Sequence, residues 1–361
     1  MQLTALSIQN VRRIREAALD PSVALNLVVG ANGSGKTSLL ESVHFLAAAR
    51  SFRTTRTRDV ISHGENTLVI SGEFHDSQQR ANRVGIEKSS SQTRLRLNGE
   101  AILVASQLAR LMPVLNFNSE SFLLLSGGPS VRRSLLDRLL FHVEHDYLAC
   151  LKRYYRSLKQ RNALLRSRGP TKEIRAWDEQ IGDEVDNLDR WRSNCVDTIN
   201  RYLEDSPVSK VIGELRLNYY RGWSVEKNFS DMLLDNLEKD RDAGLTTAGP
   251  HRAEIRFKLD DKLAKSIVSR GQGKLIIAAI VGAQSEYLCE HGSERPILLV
   301  DDLASELDRN ARKIAVEALI RTSSQVFFTA IEAADLPREL SEAAKMFHVE
   351  HGKILPNSAA V

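Results

Sequence analysis

The chain has 361 residues, 42% hydrophobic and 27% charged, a composition that fits a globular protein of two or three domains and excludes a largely disordered one. Its longest uncharged run in the C-terminal half, around Leu275 to Ser285, falls well short of the roughly 18 apolar residues of a membrane span. The opening MQLTALSIQN has no secretory pattern, and three scattered cysteines (Cys150, Cys195, Cys289) support neither a disulfide framework nor a zinc site, so a cytoplasmic protein is expected.

In chain order, Leu3, residues 5–8 and residues 25–29 read as strands, the last a continuous apolar run ending at Gly30. A helix is predicted from Lys36, with Leu39, Leu40, Val43, Leu46 and Ala47 on one face. Residues 67–101 shift to short alternating segments with an Asn98-Gly99 hairpin signal, predicting a small antiparallel sheet. Residues 131–167 and 173–203 carry a helical period and are separated by Gly169-Pro170, as in a helical hairpin or short arm. Strand patterns return at 215–220 and 253–259. Helix 273–289, strand 297–300, helix 309–320 and strand 325–329 then alternate, which predicts a parallel sheet. The fold class is therefore α/β. One head is built from residues 1–125 and 245–361, with an antiparallel subregion at about 65–103. A helical arm at 126–244 is inserted between the two parts.

The net charge is only +4, but it is unevenly spread. Residues 131–170 hold ten Arg or Lys against three Asp or Glu, whereas residues 171–205 hold five against ten. Such blocks suit a phosphate backbone, or two oppositely charged helices holding each other. Arg50, Arg53, Arg56, Arg132, Arg133 and Lys152 are the candidate DNA contacts. No base-reading motif accompanies them, so recognition without sequence preference is expected. The pentapeptide FHVEH occurs at 141–145 and 347–351, but no further metal ligands cluster with either copy, and the repetition reads as coincidence.

Gly30, Ala31, Asn32, Gly33, Ser34, Gly35, Lys36 and Thr37, followed by Ser38, match the P-loop pattern G-x-x-x-x-G-K-[ST] between an apolar strand and a helix. Glycines let backbone N–H groups wrap phosphates, Lys36 should reach the β- and γ-phosphates, and Thr37 should bind Mg²⁺. The cofactors expected are ATP and Mg²⁺. The strand 297–300 ends in Asp301, which suits the metal-side acid, and Asp302, which suits orientation of the attacking water. Upstream, SRGQGK opens a helix, offering Ser269, Gly271 and Gln272 as a second anion site. Its position resembles the signature motif of ABC-type ATPases, which reaches across a dimer. Residues 305–308, SELD, resemble the D-loop of that class.

The gap between P-loop and signature is too long for a transporter subunit and the arm too short for a long coiled coil. Several stretches resemble the RecF family of bacterial recombination proteins: LTALSIQNVRRI, GANGSGKTSLLES, RSFRT at 50–54, SGGPSVRRSLLD at 126–137, LKQRNALL at 158–165, GPHRAEI at 249–255, SRGQGK and DDLASELD at 301–308. Ser119-Glu120 stands where that family usually has Pro-Glu, and Leu135 where it usually has an aromatic residue.

The resemblance implies an ATP-dependent homodimer that binds single-stranded or gapped DNA in recombinational repair. It would act with RecR and RecO to help RecA replace single-strand-binding protein, away from any membrane. Asp302, one methylene shorter than the Glu of most ABC ATPases, and Thr329, where many place a switch histidine, imply slow hydrolysis. The alternatives are another SMC-like repair ATPase, a transporter-type ATPase or a P-loop phosphotransferase. His251 and Arg252 of GPHR fit either a structural or a nucleotide-adjacent role.

Overall fold

Alternating buried and exposed residues form strand β1 (Gln2–Val11), which turns back immediately into β2 (Ile14–Leu19). Val11 pairs with Ile14, so Arg12 and Arg13 occupy a two-residue turn, with Arg12 at φ 54°. The continuous apolar strand β3 (Leu25–Val29) runs into the P-loop and helix α1 (Lys36–Ala48). There follow β4 (Thr67–His75), β5 (Ala81–Ser89), β6 (Thr93–Leu97), β7 (Glu100–Ile102), α2 (Ala105–Leu111) and β8 (Val114–Phe117). The β6–β7 hairpin turns at Asn98 and Gly99, both at positive φ, as the sequence signal requires. The computed structural model describes residues 1–224, 228–322 and 324–356.

Two units divide the chain: Met1–Phe122, Ser206–Ile212 and Val268–Val361 form the first, and Leu123–Asp205 with Gly213–Ile267 the second. In the first unit, β2-β1-β4-β5-β6-β7 is an antiparallel sheet. A second sheet has the order β15-β14-β3-β13-β12-β8, using β12 (Ile297–Val300), β13 (Gln325–Ala330), β14 (Lys345–Glu350) and β15 (Lys353–Pro356). It is parallel except for the terminal β14–β15 hairpin. One core joins both sheets through α1, whose Leu39, Leu40, Val43 and Leu46 are fully buried. Truncating any of the three leucines to Ala removes packing worth roughly 2–5 kcal/mol. Within this unit α7 (Ser209–Ile212) is a short excursion, and α11 (Arg270–His291) is buried throughout residues 273–285. α11 crosses α12 (Arg309–Leu319) so closely that a Cβ on Gly282 would stand 2.2 Å from the Ala318 carbonyl oxygen. Helix α13 (Arg338–Ala343) precedes β14.

The second unit contains α3 (Leu123–Ser126), α4 (Pro129–Val143), α5 (Tyr147–Arg166), α6 (Thr171–Glu204), α8 (Phe229–Asp235), α9 (Leu237–Ala243) and α10 (Ala264–Ile267). A three-stranded sheet, β11-β10-β9, completes it from β9 (Leu215–Tyr220), β10 (Glu254–Leu259) and β11 (Lys262–Leu263). The helix predicted over 131–167 is two helices, broken at residues 144–146 without glycine or proline. The return to the head also lies later than residue 245. β10 pairs antiparallel with β9, Ile255 opposite Tyr219, which holds residues 213–267 in one unit until Val268.

Candidate nucleotide-binding site

The P-loop backbone is set by Gly30, at φ 153°, where a Cβ would meet the Val349 carbonyl oxygen at 2.2 Å, and by Gly35, at φ 126°. No L side chain fits the first position without displacing β14. The Lys36 ammonium folds onto the loop's own carbonyls, Gly30 O at 2.6 Å and Ala31 O at 3.0 Å. Burial pulls Lys36 below the ordinary lysine value, opposed by the carboxylates of Asp301, Asp302 and Asp335. An incoming polyanion would relieve that penalty. The Ser34 hydroxyl is buried and has no hydrogen-bond partner among the described residues. A cavity of about 820 Å³ opens here, lined by Asn32, Gly33, Gly35, Lys36, Thr37 and Ser38 and by residues discussed below.

β12 delivers the acids to this cavity. The Thr37 hydroxyl donates to Asp301 Oδ2 at 2.9 Å, and the Thr329 hydroxyl donates to Asp301 Oδ1 at 2.7 Å. Thr329 in turn accepts the Asp302 N–H at 2.9 Å. Asp302 has φ 53°, a left-handed conformation uncommon for a non-glycine residue. A hydroxyl and a carboxylate in contact beneath a phosphate-shaped loop are a donor set suited to Mg²⁺. β8, which the sequence reading missed, supports the pair: Phe117 O accepts the Asp301 N–H at 2.8 Å. Its only signal was the short apolar run PVLNF.

Four arginines also line the cavity: Arg12, Arg13, Arg53 and Arg270. Arg13 Nη1 donates to Gly33 O at 2.6 Å, closing one side of the P-loop. Arg12 forms a two-pronged pair with Glu41 of α1, both contacts 2.9 Å. Glu41 accepts from the Ser51 hydroxyl, whose oxygen accepts the Arg53 N–H at 2.8 Å. RSFRT is thereby tied to the P-loop helix, and Arg53 belongs to the nucleotide cavity, where its guanidinium has no protein partner among the described residues. The candidate contacts Arg50 and Arg56 are exposed on the same segment. The terminal hairpin braces the other side, with Gly352 N–H donating to Ser34 O at 2.8 Å.

The signature residues sit at the N-terminus of α11. The Ser269 hydroxyl oxygen accepts the Gln272 N–H at 3.3 Å, and Gln272 Oε1 accepts the Ser269 N–H at 3.0 Å, a reciprocal capping box. Ser269, Gly271 and Gln272 do not line this chain's own cavity, although Arg270 and Lys274 of the same helix do.

In the second unit two candidate DNA contacts are corrected. Arg132 is buried and forms a two-pronged pair with Glu254, both contacts 2.8 Å, and it also donates to Gly127 O at 2.6 Å. Arg133 is half-buried and donates to Ala253 O at 2.7 Å. Both arginines hold α4 to the start of β10. Lys152 is exposed on α5, in line with Tyr155, Arg156, Lys159 and Arg166, all exposed. These recur at helical spacing on one face.

His251 is structural. Its Nε2 lies 3.0 Å from Thr246 O and its Nδ1 2.6 Å from the Tyr154 hydroxyl, so a neutral ring donates to one and accepts from the other. Burial pushes its pKa down to about 4, with Arg252 and Arg133 adding to the effect. Arg252 lies alongside, 3.4 Å from the same Thr246 carbonyl. Fully buried Arg161 reaches Asp178, Asp240 and the Thr246 hydroxyl, and Arg192 reaches Asp137 and Pro250 O, so GPHR anchors a buried polar network of this unit.

The family model described as RecF/RecN/SMC N terminal domain matches residues 2–354. Curated relatives named DNA replication and repair protein RecF include one from Thioalkalivibrio sulfidiphilus, 38% identical over 98% of this chain and 99% of the relative. Another, from Cellvibrio japonicus, is 37% identical over 98% and 99% of the respective chains. A solved structure described as the recombination mediator protein RecF-ATP in the RecFOR pathway matches with a TM-score of 0.85 at 22% identity, covering 98% of this chain and 97% of that one. An Smc head bound to the C-winged helix domain of ScpA matches at TM-score 0.62 and 16% identity, over 100% and 98%. The two structural likenesses establish an SMC-head-type fold, and the near-complete sequence matches make this chain a member of the RecF family of DNA replication and repair proteins.

Proposed function

We propose that this protein is an ATP-dependent DNA-binding mediator of recombinational repair and replication restart, active as a homodimer closed by two ATP molecules with Mg²⁺. One observation carries the reading. Six P-loop residues, Asn32, Gly33 and residues 35–38, and the acidic pair line the cavity, while Ser269, Gly271 and Gln272 at a helix N-terminus do not, leaving them to complete the cavity of a second copy. By the same family relation its partners are gapped or single-stranded DNA and the RecR, RecO and RecA proteins, and its site of action is the cytoplasm.

In that dimer Lys36 exchanges the Gly30 and Ala31 carbonyls for β- and γ-phosphate oxygens, and the N–H groups of residues 32–37 wrap the same phosphates. The Thr37 hydroxyl and Asp301 carboxylate would hold Mg²⁺, with Thr329 fixing the carboxylate's orientation. When bound, the cation neutralises charge developing between the phosphates. Arg53, whose guanidinium has no partner among the described residues, adds positive charge near the triphosphate. Asp302 orients the attacking water. A carboxylate withdrawn by one methylene, on a backbone clamped at φ 53°, suits slow turnover and a timer rather than a motor. DNA is taken without sequence preference by exposed cations: Arg50 and Arg56 on the first unit, and Lys152, Arg156, Lys159 and Arg166 on α5.

The test is binding to a gapped duplex at one fixed salt concentration with ATP–Mg²⁺ or ADP–Mg²⁺, with sedimentation of the same samples. Salt is fixed because backbone affinity falls roughly a thousandfold or more over a modest range. Tighter binding by an ATP-bound dimer is expected, and Lys36→Ala should abolish the difference. A monomer that binds equally with both nucleotides would overturn the reading.

A further inference from the structure

One cation in the cavity wall is left without a task by the function above. Lys274, in the second turn of α11, is buried, and its ammonium has three donors and three acceptors: Asp302 O at 3.0 Å, Ser305 O at 2.6 Å and the Ser305 hydroxyl oxygen. Ser305 also reaches Asp302 O, at 3.3 Å. The segment so gripped starts at Asp302, φ 53°, and ends at Glu306, φ 63°, two non-glycine residues in the left-handed region. Such a backbone persists only where its surroundings over-determine it. Here Thr329 holds the Asp302 N–H and Lys274 holds its carbonyl. The first turn of α11 also presses on this segment: a Cβ on Gly271 would come within 3.2 Å of Glu306 O.

Lys274 lies only five residues from Ser269, and the first turn between them is locked by the capping box. A displacement of the Ser269 end is therefore passed to the lysine as a movement of a rigid helix. We propose that Lys274 is a positioning residue that ties the Ser269 end of α11 to the Asp302 backbone, so that nucleotide held by a second copy and touching Ser269–Gln272 sets the hydrolytic geometry of this chain's own site. The inference rests on the dimer reading above. Coupling of this kind needs no contact between Lys274 and nucleotide. It needs only that the two ends of one rigid element bias the same loop. Occupancy of one site of the dimer then readies the other for hydrolysis, and the two ATP molecules turn over together rather than independently.

The experiment uses the full chain and its Lys274→Met and Ser305→Ala variants, with a slowly hydrolysed ATP analogue and Mg²⁺. Methionine keeps the buried stem and removes all three donors, while alanine at 305 removes the hydroxyl and leaves the lysine. Four quantities are read: affinity for a fluorescent ATP analogue, nucleotide-dependent dimerisation by sedimentation, hydrogen–deuterium exchange over residues 301–308, and, with ATP itself, the rate of turnover. In the parent, nucleotide should slow exchange of that segment at least fivefold, and only at concentrations that give dimer. Lys274→Met should bind nucleotide within about twofold of the parent and still dimerise, yet lose the protection and at least tenfold in turnover. Ser305→Ala should lose part of the protection. A parent that never dimerises overturns the dimer reading and this inference with it. Dimers of both variants that keep full protection and parental turnover overturn the role of Lys274 alone.

Discussion

Thr329 occupies a position whose chemistry differs from that of an ordinary buried threonine. Its hydroxyl donates to Asp301 and accepts from the Asp302 N–H, so one group orients both acids. Thr329→Val keeps the shape but leaves a buried N–H unpaired, a cost of about 1–3 kcal/mol. ATP affinity measured by calorimetry should weaken about tenfold in the presence of Mg²⁺ and hardly at all in EDTA, with Thr329→Ser restoring it. Equal losses in both conditions would assign Thr329 to the fold alone. The P-loop, the acidic pair and the signature were legible because each depends on a short run of residues with fixed geometry. Arg13 and Gly352 were not, because their contacts to Gly33 and Ser34 join points far apart in the chain. Arg53 was recognised as a cation, but only the Arg12–Glu41–Ser51 chain of contacts reveals which surface it serves.

The elements were read best where their period was long and local. α6 runs one residue beyond the predicted limits at its C-terminus and two at its N-terminus, because Ile174, Ile181, Val185, Leu188, Cys195 and Ile199 form an unbroken buried stripe. β8 and β2 were missed because a four-residue strand interrupted by Asn116 and a strand following a two-residue turn of arginines carry little periodic signal. A basic block can also mislead, since charge density does not tell a paired arginine from a free one. Arg132→Ala would leave a half-buried Glu254 without its cation, costing on the order of 1–3 kcal/mol, and should lower the midpoint of thermal unfolding. Lys152→Ala with Arg156→Ala should leave that midpoint unchanged. This double variant should instead weaken binding to all DNA sequences alike and reduce the slope of log K against log salt by about 2. An unchanged slope would remove α5 from the DNA surface.

At the scale of the whole chain, acid stability follows from His251. Its folded pKa, about 4, lies below the ordinary 6.5, so between those values the unfolded chain binds more protons and stability rises with pH. The contribution is complete above pH 6.5 and lost as pH falls towards 4. On the order of 2 kcal/mol should disappear between pH 7.5 and 5. Urea unfolding should show this loss in the parent and much less of it in His251→Gln; equal losses would place the acid sensitivity elsewhere. The α/β class and the joining of both ends of the chain in one head were legible from the motifs, whereas the late return at Val268 depends on the pairing of β9 with β10, which local sequence does not encode. That same long-range pairing governs how the head comes into being. β3, which carries the P-loop, lies between β13 and β14, strands made roughly three hundred residues later. At ribosomal speeds of about 5–20 residues per second, the nascent P-loop strand waits on the order of 15–60 s for its neighbours. During that time the strand lacks both neighbours, and a translation product halted before residue 325 has a P-loop sequence but neither β13 nor the Thr329 that holds Asp301 and Asp302.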